Sequence, residues 1–75
     1  MPNLDRSFDI VGAINSDRGE EIKRTVRELD GVNKVQIDFH ENKVIVGYTP
    51  GIVNVQMIKE AIERLGVDVS DQGDD

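Results

Sequence analysis

Hydrophobic residues recur in this chain with two different periods, and the order of these periods constrains the fold more than any other feature. Period two is typical of a strand with one buried face, and period 3.6 is typical of an amphipathic helix. The strand-like segments are 8–12, 35–39, 44–48 and 67–69, and the helix-like segments are 17–29 and 54–65. The predicted order of elements is therefore β-α-β-β-α-β.

The first helix is predicted from its boundaries as well as from its apolar face. Asp17 and Glu20 have the spacing of a capping box, in which the Asp carboxylate accepts a hydrogen bond from a free helix N–H group. Gly31, which follows Asp30, suits the left-handed position after a helix. The apolar face consists of Ile22, Val26 and Leu29. We therefore expect a helix that begins at this capping box and stops at Asp30-Gly31.

Turn residues separate the remaining elements. His40-Glu41-Asn42 is short and polar, which predicts a hairpin between the second and third strands. Thr49-Pro50-Gly51 ends the third strand, Asn54 can cap the second helix, and Gly66 ends that helix. The apolar face of the second helix consists of Val55, Ile58, Ile62 and Leu65.

These elements predict an α+β fold of the ferredoxin-like βαββαβ type, with a four-stranded antiparallel sheet and two helices on one face. The other face of the sheet is expected to be solvated, because polar residues such as Asp9 and Asp38 occupy the alternate positions. We place the domain at residues 7–69, between an N-terminal extension at 1–6 and an acidic flexible tail at 70–75.

The composition excludes several classes of protein. Seventy-five residues form one small domain, which buries only about 60% of the surface of its unfolded chain. The chain has no cysteine, and therefore no disulfide, thiolate metal site or cysteine nucleophile. A net charge of −6 argues against nucleic-acid binding. We expect a cytoplasmic protein without direct membrane insertion, because the sequence contains neither a signal-peptide pattern nor a long apolar run.

Four segments carry a further pattern. They are Ile10-Val11-Gly12, Ile22 through Leu29-Asp30-Gly31-Val32, Val44-Ile45-Val46-Gly47-Tyr48 and Ile58-Lys59-Glu60-Ala61-Ile62-Glu63-Arg64-Leu65-Gly66. At these spacings the chain resembles the heavy-metal-associated domain family. These are the small copper-chaperone-like domains that also occur at the N-termini of metal-pumping P-type ATPases. The resemblance implies a ferredoxin-like fold, a metal-binding loop before the first helix, and a role in metal transport.

The metal-binding motif of that family, Gly-Met-x-Cys-x-x-Cys, is missing at the aligned positions. With Gly12 and Ile22 in register, the Met position falls on Ala13 and the two cysteine positions fall on Asn15 and Arg18. Cu(I) is a soft ion that prefers thiolates, whereas an Asn amide is a hard, weak donor and Arg carries a permanent positive charge. We therefore expect neither residue to bind metal.

Two other ligands are conceivable at the same loop. The free N–H groups of the helix N-terminus, next to Arg18, could bind a phosphate or a carboxylate, but Asp17 and Glu20 would already fill those donors. Oxygen atoms of Asn15, Ser16, Asp17 and Glu20 could hold Ca²⁺ or Mg²⁺, but their spacing matches no recognised loop. We favour neither ligand.

No sequence motif indicates an enzyme. His40 is the single histidine and has no identifiable partner, and neither GxGxxG nor GxxxxGK[ST] occurs. We therefore predict no catalytic residue, no cofactor and no enzymatic activity.

The sequence thus favours a heavy-metal-associated-like domain that has lost its thiolate ligands and works as a protein-interaction or regulatory module. In the resembled family the first helix and the metal loop form the docking surface, which implies a partner domain of the metal-transport type. The predicted partner-binding residues are Asn15, Ser16, Asp17, Arg18 and Arg24. A basic stripe would form if Arg18, Lys23, Arg24 and Arg27 shared one face. We expect a monomer.

Two alternatives remain open. The first is a domain that binds or transfers a metal ion with oxygen or nitrogen ligands, or through a site shared with a partner. The second is a regulatory domain that binds a small molecule at a dimer interface.

Overall fold

Four antiparallel strands form one sheet in the order β2-β3-β1-β4. The computed structural model describes residues 3–71 of the chain. Its elements are β1 (Leu4–Val11), α1 (Ser16–Arg27), β2 (Val32–Asp38), β3 (Lys43–Tyr48), α2 (Val55–Glu63) and β4 (Asp68–Asp71). The predicted α+β, ferredoxin-like βαββαβ fold is confirmed.

The core lies between the sheet and the two helices. Alternate residues of the strands meet the apolar faces of the helices, as the two periods of the sequence predict. The completely buried side chains are Phe8, Ile22, Val26, Val44, Val46, Ile58 and Ile62. Among the described residues no polar or charged residue is buried, so the stability of this domain depends on apolar packing.

The opposite face of the sheet carries many polar residues, and an ion pair spans three of its strands. Asp5 of β1, Gly47 of β3 and Lys34 of β2 lie side by side in the register. The Lys34 ammonium lies 3.7 Å from the Asp5 carboxylate. A Cβ atom on Gly47 would come within 3.0 Å of Asp5 and 3.3 Å of Lys34, so glycine lets the pair form across the middle strand.

Several strand boundaries differ from the prediction. Strand β1 begins at Leu4, so residues 4–6, which we assigned to an extension, pair with β3. Gly12 does not continue the buried alternation of β1, because it is exposed and turns the chain with a φ of 93°. Ser70 belongs to β4, and the last four residues of the predicted tail, 72–75, lie outside the described residues.

Both boundaries of α1 also differ from the prediction. The N-cap residue is Asn15 and not Asp17, which lies in the first turn of the helix. The helix ends at Arg27, whereas Gly31 lies beyond it in the turn that enters β2. Gly31 does adopt the left-handed conformation, with a φ of 94°. The helix stops earlier because the N–H groups of the next two residues bond to carbonyls only three residues back.

Local side-chain bonds fix the hairpin and the start of α2. The Asp38 carboxylate accepts hydrogen bonds from the backbone N–H groups of His40 and Glu41, both at 3.0 Å. Asn42 adopts a left-handed conformation with a φ of 59°. Asn54 caps α2 as predicted, since its side chain accepts a hydrogen bond at 2.8 Å from the N–H group three residues on.

Candidate functional site

The loop between β1 and α1 ends at Asn15, which aligns with the first family cysteine. Asn15 has an extended backbone, and its Oδ1 atom accepts a hydrogen bond at 2.8 Å from the backbone N–H of Arg18. Its carbonyl accepts the first helical bond, from Gly19, at 3.0 Å. The side chain at this position is therefore used as a helix cap.

Arg18, which aligns with the second cysteine, reaches from α1 to the end of α2. Its Nη1 atom lies 2.6 Å from the carbonyl oxygen of Leu65 and 3.3 Å from the carboxylate of Glu21. Leu65 lies just beyond α2, where backbone carbonyls have no helical partner and carry partial negative charge. The guanidinium thus donates a hydrogen bond to a backbone carbonyl that has no helical N–H partner.

A small cavity of about 240 Å³ separates the loop from the end of α2. It is lined by Val11, Ala13, Ile14, Asn15, Arg18, Gly66 and Val67. Val67, which follows Gly66 at the end of α2, is buried. The structure therefore brings together the three positions that align with the family's metal motif, namely Ala13, Asn15 and Arg18.

These residues do not fit Cu(I) as a cargo ion. The cavity has no thiolate, the oxygen of Asn15 is already bonded to a backbone N–H group, and the Arg18 side chain brings a positive charge. Within residues 3–71, no three side chains of His, Cys, Asp or Glu lie close enough together to hold a metal ion. Glu20, a candidate oxygen ligand, forms an ion pair with Lys23 at 3.4 Å.

The predicted partner-binding residues lie on one exposed surface. A shallow depression is lined by Asn15, Asp17, Arg18, Glu20, Glu21 and Arg24. Ser16, the first residue of α1, is exposed beside them. The structure thus brings the five predicted residues together, although no contact in it identifies a partner.

The basic stripe forms only in part. Lys23, Arg24 and Arg27 line one depression on the outer side of α1, together with two glutamates, Glu20 and Glu28. Arg18 does not line this depression, and its guanidinium turns towards the end of α2.

Sequence reasoning missed two features next to this surface. Asn42 donates two hydrogen bonds from its side chain to the carbonyls of Ile10 and Gly12. Phe39, predicted to belong to the second strand, lies outside β2 with 53% of its surface exposed, and its ring covers Gly19 of α1. The polar turn predicted a hairpin, but no local pattern indicates which distant groups these two side chains contact.

Fold and site together define a small ferredoxin-like domain with a loop-and-helix site that has no thiolate. The family model described as "Heavy-metal-associated domain" matches residues 19–68. The chain therefore belongs to the heavy-metal-associated domain family. The matched region begins directly after Arg18, so both positions that align with the family cysteines lie outside it.

Two relatives are copper chaperones named CopZ. The protein from Staphylococcus haemolyticus is 38% identical over 48 residues, which are 64% of this chain and 71% of the relative. The protein from Bacillus subtilis is 39% identical over 49 residues, which are 65% of this chain and 71% of the relative. The chain is thus related to copper chaperones.

Solved structures relate the chain to the N-terminal domains of P-type ATPases as well. One is the N-terminal domain of a potential copper-translocating P-type ATPase from Bacillus subtilis in the Cu(I)-loaded state. Its TM-score is 0.90 and its sequence identity is 26%, and the match covers 96% of this chain and 90% of that domain. The yeast copper transporter domain Ccc2a has a TM-score of 0.85 and 30% identity over 95% and 97%. No helix within residues 3–71 is long and apolar enough to cross a membrane.

Proposed function

We propose that this chain is a degenerate heavy-metal-associated domain that does not bind Cu(I) and acts through protein contacts, as an interaction or regulatory module of a metal-transport system. The observation that carries this proposal is the bond between the Arg18 guanidinium and the carbonyl of Leu65, at 2.6 Å. Arg18 carries a permanent positive charge and is bonded across the site at which a cargo cation would have to bind.

Electrostatics and ligand chemistry support the loss of Cu(I) binding independently. The Arg18 charge repels a metal cation, and Asn15 would have to give up its bond to the α1 backbone before its amide oxygen could bind anything else. Releasing that oxygen would leave a helix N–H group without its cap, and the amide would still be a poor ligand for a soft ion.

Relatives supply the argument for a protein partner. Both CopZ proteins are named as copper chaperones, and the ATPase domain comes from a potential copper-translocating P-type ATPase. We propose that this domain contacts another domain of the metal-transport type with Asn15, Ser16, Asp17, Arg18 and Arg24. Arg24 and Arg27 are exposed, and neither side chain forms a hydrogen bond or an ion pair within the described residues, so their charges are available to carboxylates of a partner.

The remaining properties follow from the same reasoning. We propose that the domain is a cytoplasmic monomer without enzymatic activity. The support is the relationship to copper chaperones and the lack of a recognisable catalytic motif in the sequence.

A titration with Cu(I) under reducing, anaerobic conditions tests the loss of metal binding. Amide NMR spectra of the ¹⁵N-labelled protein should show no saturable shift below millimolar Cu(I). The double variant Asn15→Cys/Arg18→Cys should bind one Cu(I) ion, because it restores the thiolate pair at the start of α1. The matched control is Asn15→Ser/Arg18→Ser, which introduces hydroxyls of similar size and should not bind the ion.

Saturable shifts of the unmodified protein, confined to residues 13–19 and 66–67, would show that the proposal is wrong. The same titration with Zn²⁺ and Ca²⁺ tests the alternative of oxygen or nitrogen ligands. Shifts at these residues with either ion would favour that alternative.

Docking is tested with the N-terminal ATPase domain from Bacillus subtilis as the probe. We expect its addition to shift the amide signals of residues 15–18 and 24. Arg24→Glu should weaken binding by about tenfold or more, since it replaces an attractive charge by a repulsive one. Lys59→Glu is the matched control, because it makes the same charge change on α2. Equal effects of the two variants, or shifts confined to another surface, would contradict the proposed docking surface.

A further inference from the structure

Two residues from other parts of the fold hold the loop between β1 and α1, one through its side chain and the other through its backbone N–H group. One is Asn42, in the hairpin between β2 and β3, and the other is Arg18, in the first turn of α1. The loop itself, residues 12–15, contains the positions that align with the family's Met and first Cys. Its conformation is therefore tied to three separate elements of the domain.

Asn42 fixes the beginning of the loop. Its Nδ2 atom donates to the carbonyl of Ile10 at 2.8 Å and to the carbonyl of Gly12 at 2.6 Å. Its own carbonyl accepts a hydrogen bond from the N–H group of Ile10 at 2.9 Å. One residue thus bonds the chain on both sides of Val11, and one of its two side-chain bonds holds the carbonyl of Gly12, where the chain turns.

The left-handed backbone of Asn42 explains why this residue can reach the loop. Its φ of 59° lies in the region that Asn and Gly adopt most readily. Gly could adopt the same turn but would provide no donor. Asp could also adopt it, but its carboxylate would face the two carbonyl oxygens without a hydrogen to offer.

Arg18 fixes the other end of the loop. Asn15 accepts a hydrogen bond from the Arg18 backbone, while the Arg18 side chain donates to the carbonyl of Leu65. The end of the loop is therefore bonded to α1 and, through the same residue, to the end of α2.

We infer that Asn42 and Arg18 are positioning residues that hold this loop in a single conformation without any bound metal. The functional consequence rests on the proposed function: a loop that is already ordered loses less conformational entropy when a partner docks on it. The loop order itself does not depend on that function, and it can be measured on the isolated protein.

Backbone ¹⁵N relaxation measures the order of the loop directly. We expect order parameters of about 0.85 for residues 12–15 of the unmodified protein, as for rigid backbone. The double variant Asn42→Gly/Arg18→Ala keeps the left-handed turn but removes both side chains, and should lower the values of residues 12–14 below about 0.6. Residue 15 keeps its bond from the backbone N–H group of residue 18 and should stay ordered. Order parameters in β3 should stay at about 0.85, which separates a local effect from general unfolding.

Two further variants make the test specific. Asn42→Asp keeps the shape of the side chain and loses the donor, so it should loosen residues 12–13 about as much as Asn42→Gly. Asn33→Ala is the matched control, because it removes an Asn side chain that bonds to Thr49 instead of to the loop, and it should leave residues 12–15 unchanged.

Three results would overturn the inference. They are low order parameters in the unmodified loop, unchanged order in the double variant, and a rigid loop in Asn42→Asp. None of them bears on the Cu(I) titration, so the failure of this inference and the failure of the proposed function can be distinguished.

Discussion

Replacing the cap of α1 tests the central assignment of this structure, namely that the position of a family cysteine is now used to start a helix. Asn15→Ala removes the side-chain acceptor of the 2.8 Å bond from the Arg18 N–H group and leaves the backbone bond from Gly19 in place. Loss of an N-cap acceptor costs about 0.5–2 kcal/mol of the free energy of unfolding. We expect about 1 kcal/mol here, because the freed N–H group is exposed and water can bond to it.

Thermal unfolding followed by circular dichroism measures this cost. In a domain of this size, 1 kcal/mol corresponds to a decrease in Tm of about 4–8 °C. Asn15→Ser should decrease Tm much less, since serine is also a good cap.

The second helix provides a matched control. Asn54 caps α2 with the same 2.8 Å bond, so Asn54→Ala should lower Tm by a similar amount. The two losses should add in the double variant within about 0.5 kcal/mol, because the caps share no partner. If Asn54→Ala lowered Tm by several degrees and Asn15→Ala did not, the interpretation of Asn15 as a cap would be refuted.

Three further predictions concern packing. Gly31→Ala should lower the free energy of unfolding more than Gly51→Ala, and urea unfolding measures the difference. Both residues have a positive φ, but of the two only Gly31 has a neighbour close to the added Cβ atom, namely Ile52 at 2.9 Å. Ile62→Ala should cost about 2–5 kcal/mol, a large part of the stability of a small domain, and should shift the midpoint of the same urea curve strongly. Val11→Ser should change the free energy of unfolding by less than about 0.5 kcal/mol, because 64% of Val11 is exposed, and a larger loss would indicate a packing role.

The fold could be predicted because its signals are local and agree with one another. The two hydrophobic periods place Phe8, Val44 and Ile62 in one core, and the order of the elements leaves few topologies. Errors occurred at the ends of elements, where two residues compete for the same role. At the start of α1 both Asn15 and Asp17 could serve as caps, and the structure uses the earlier one.

At the site, the sequence predicted which metal ligands are missing, but not what the residues in their place contact. The alignment with the family shows directly that thiolates are missing at residues 15 and 18. It does not show what Arg18 contacts, since Leu65 is 47 residues away in the chain. The role of Asn42 is non-local for the same reason, because its partners lie at the end of β1 and in the loop that follows it.

Because Asn15 caps a helix and Arg18 carries a positive charge, single substitutions at these positions would not readily restore a copper site. A lone Asn15→Cys change would place a thiol at a helix N-terminus next to a guanidinium, and both lower the pKa of a thiol. A thiolate without a second sulfur to share a metal is the form that peroxides oxidise to sulfenic acid. The first step back towards a copper site would therefore create an oxidation-sensitive residue before it created a ligand pair.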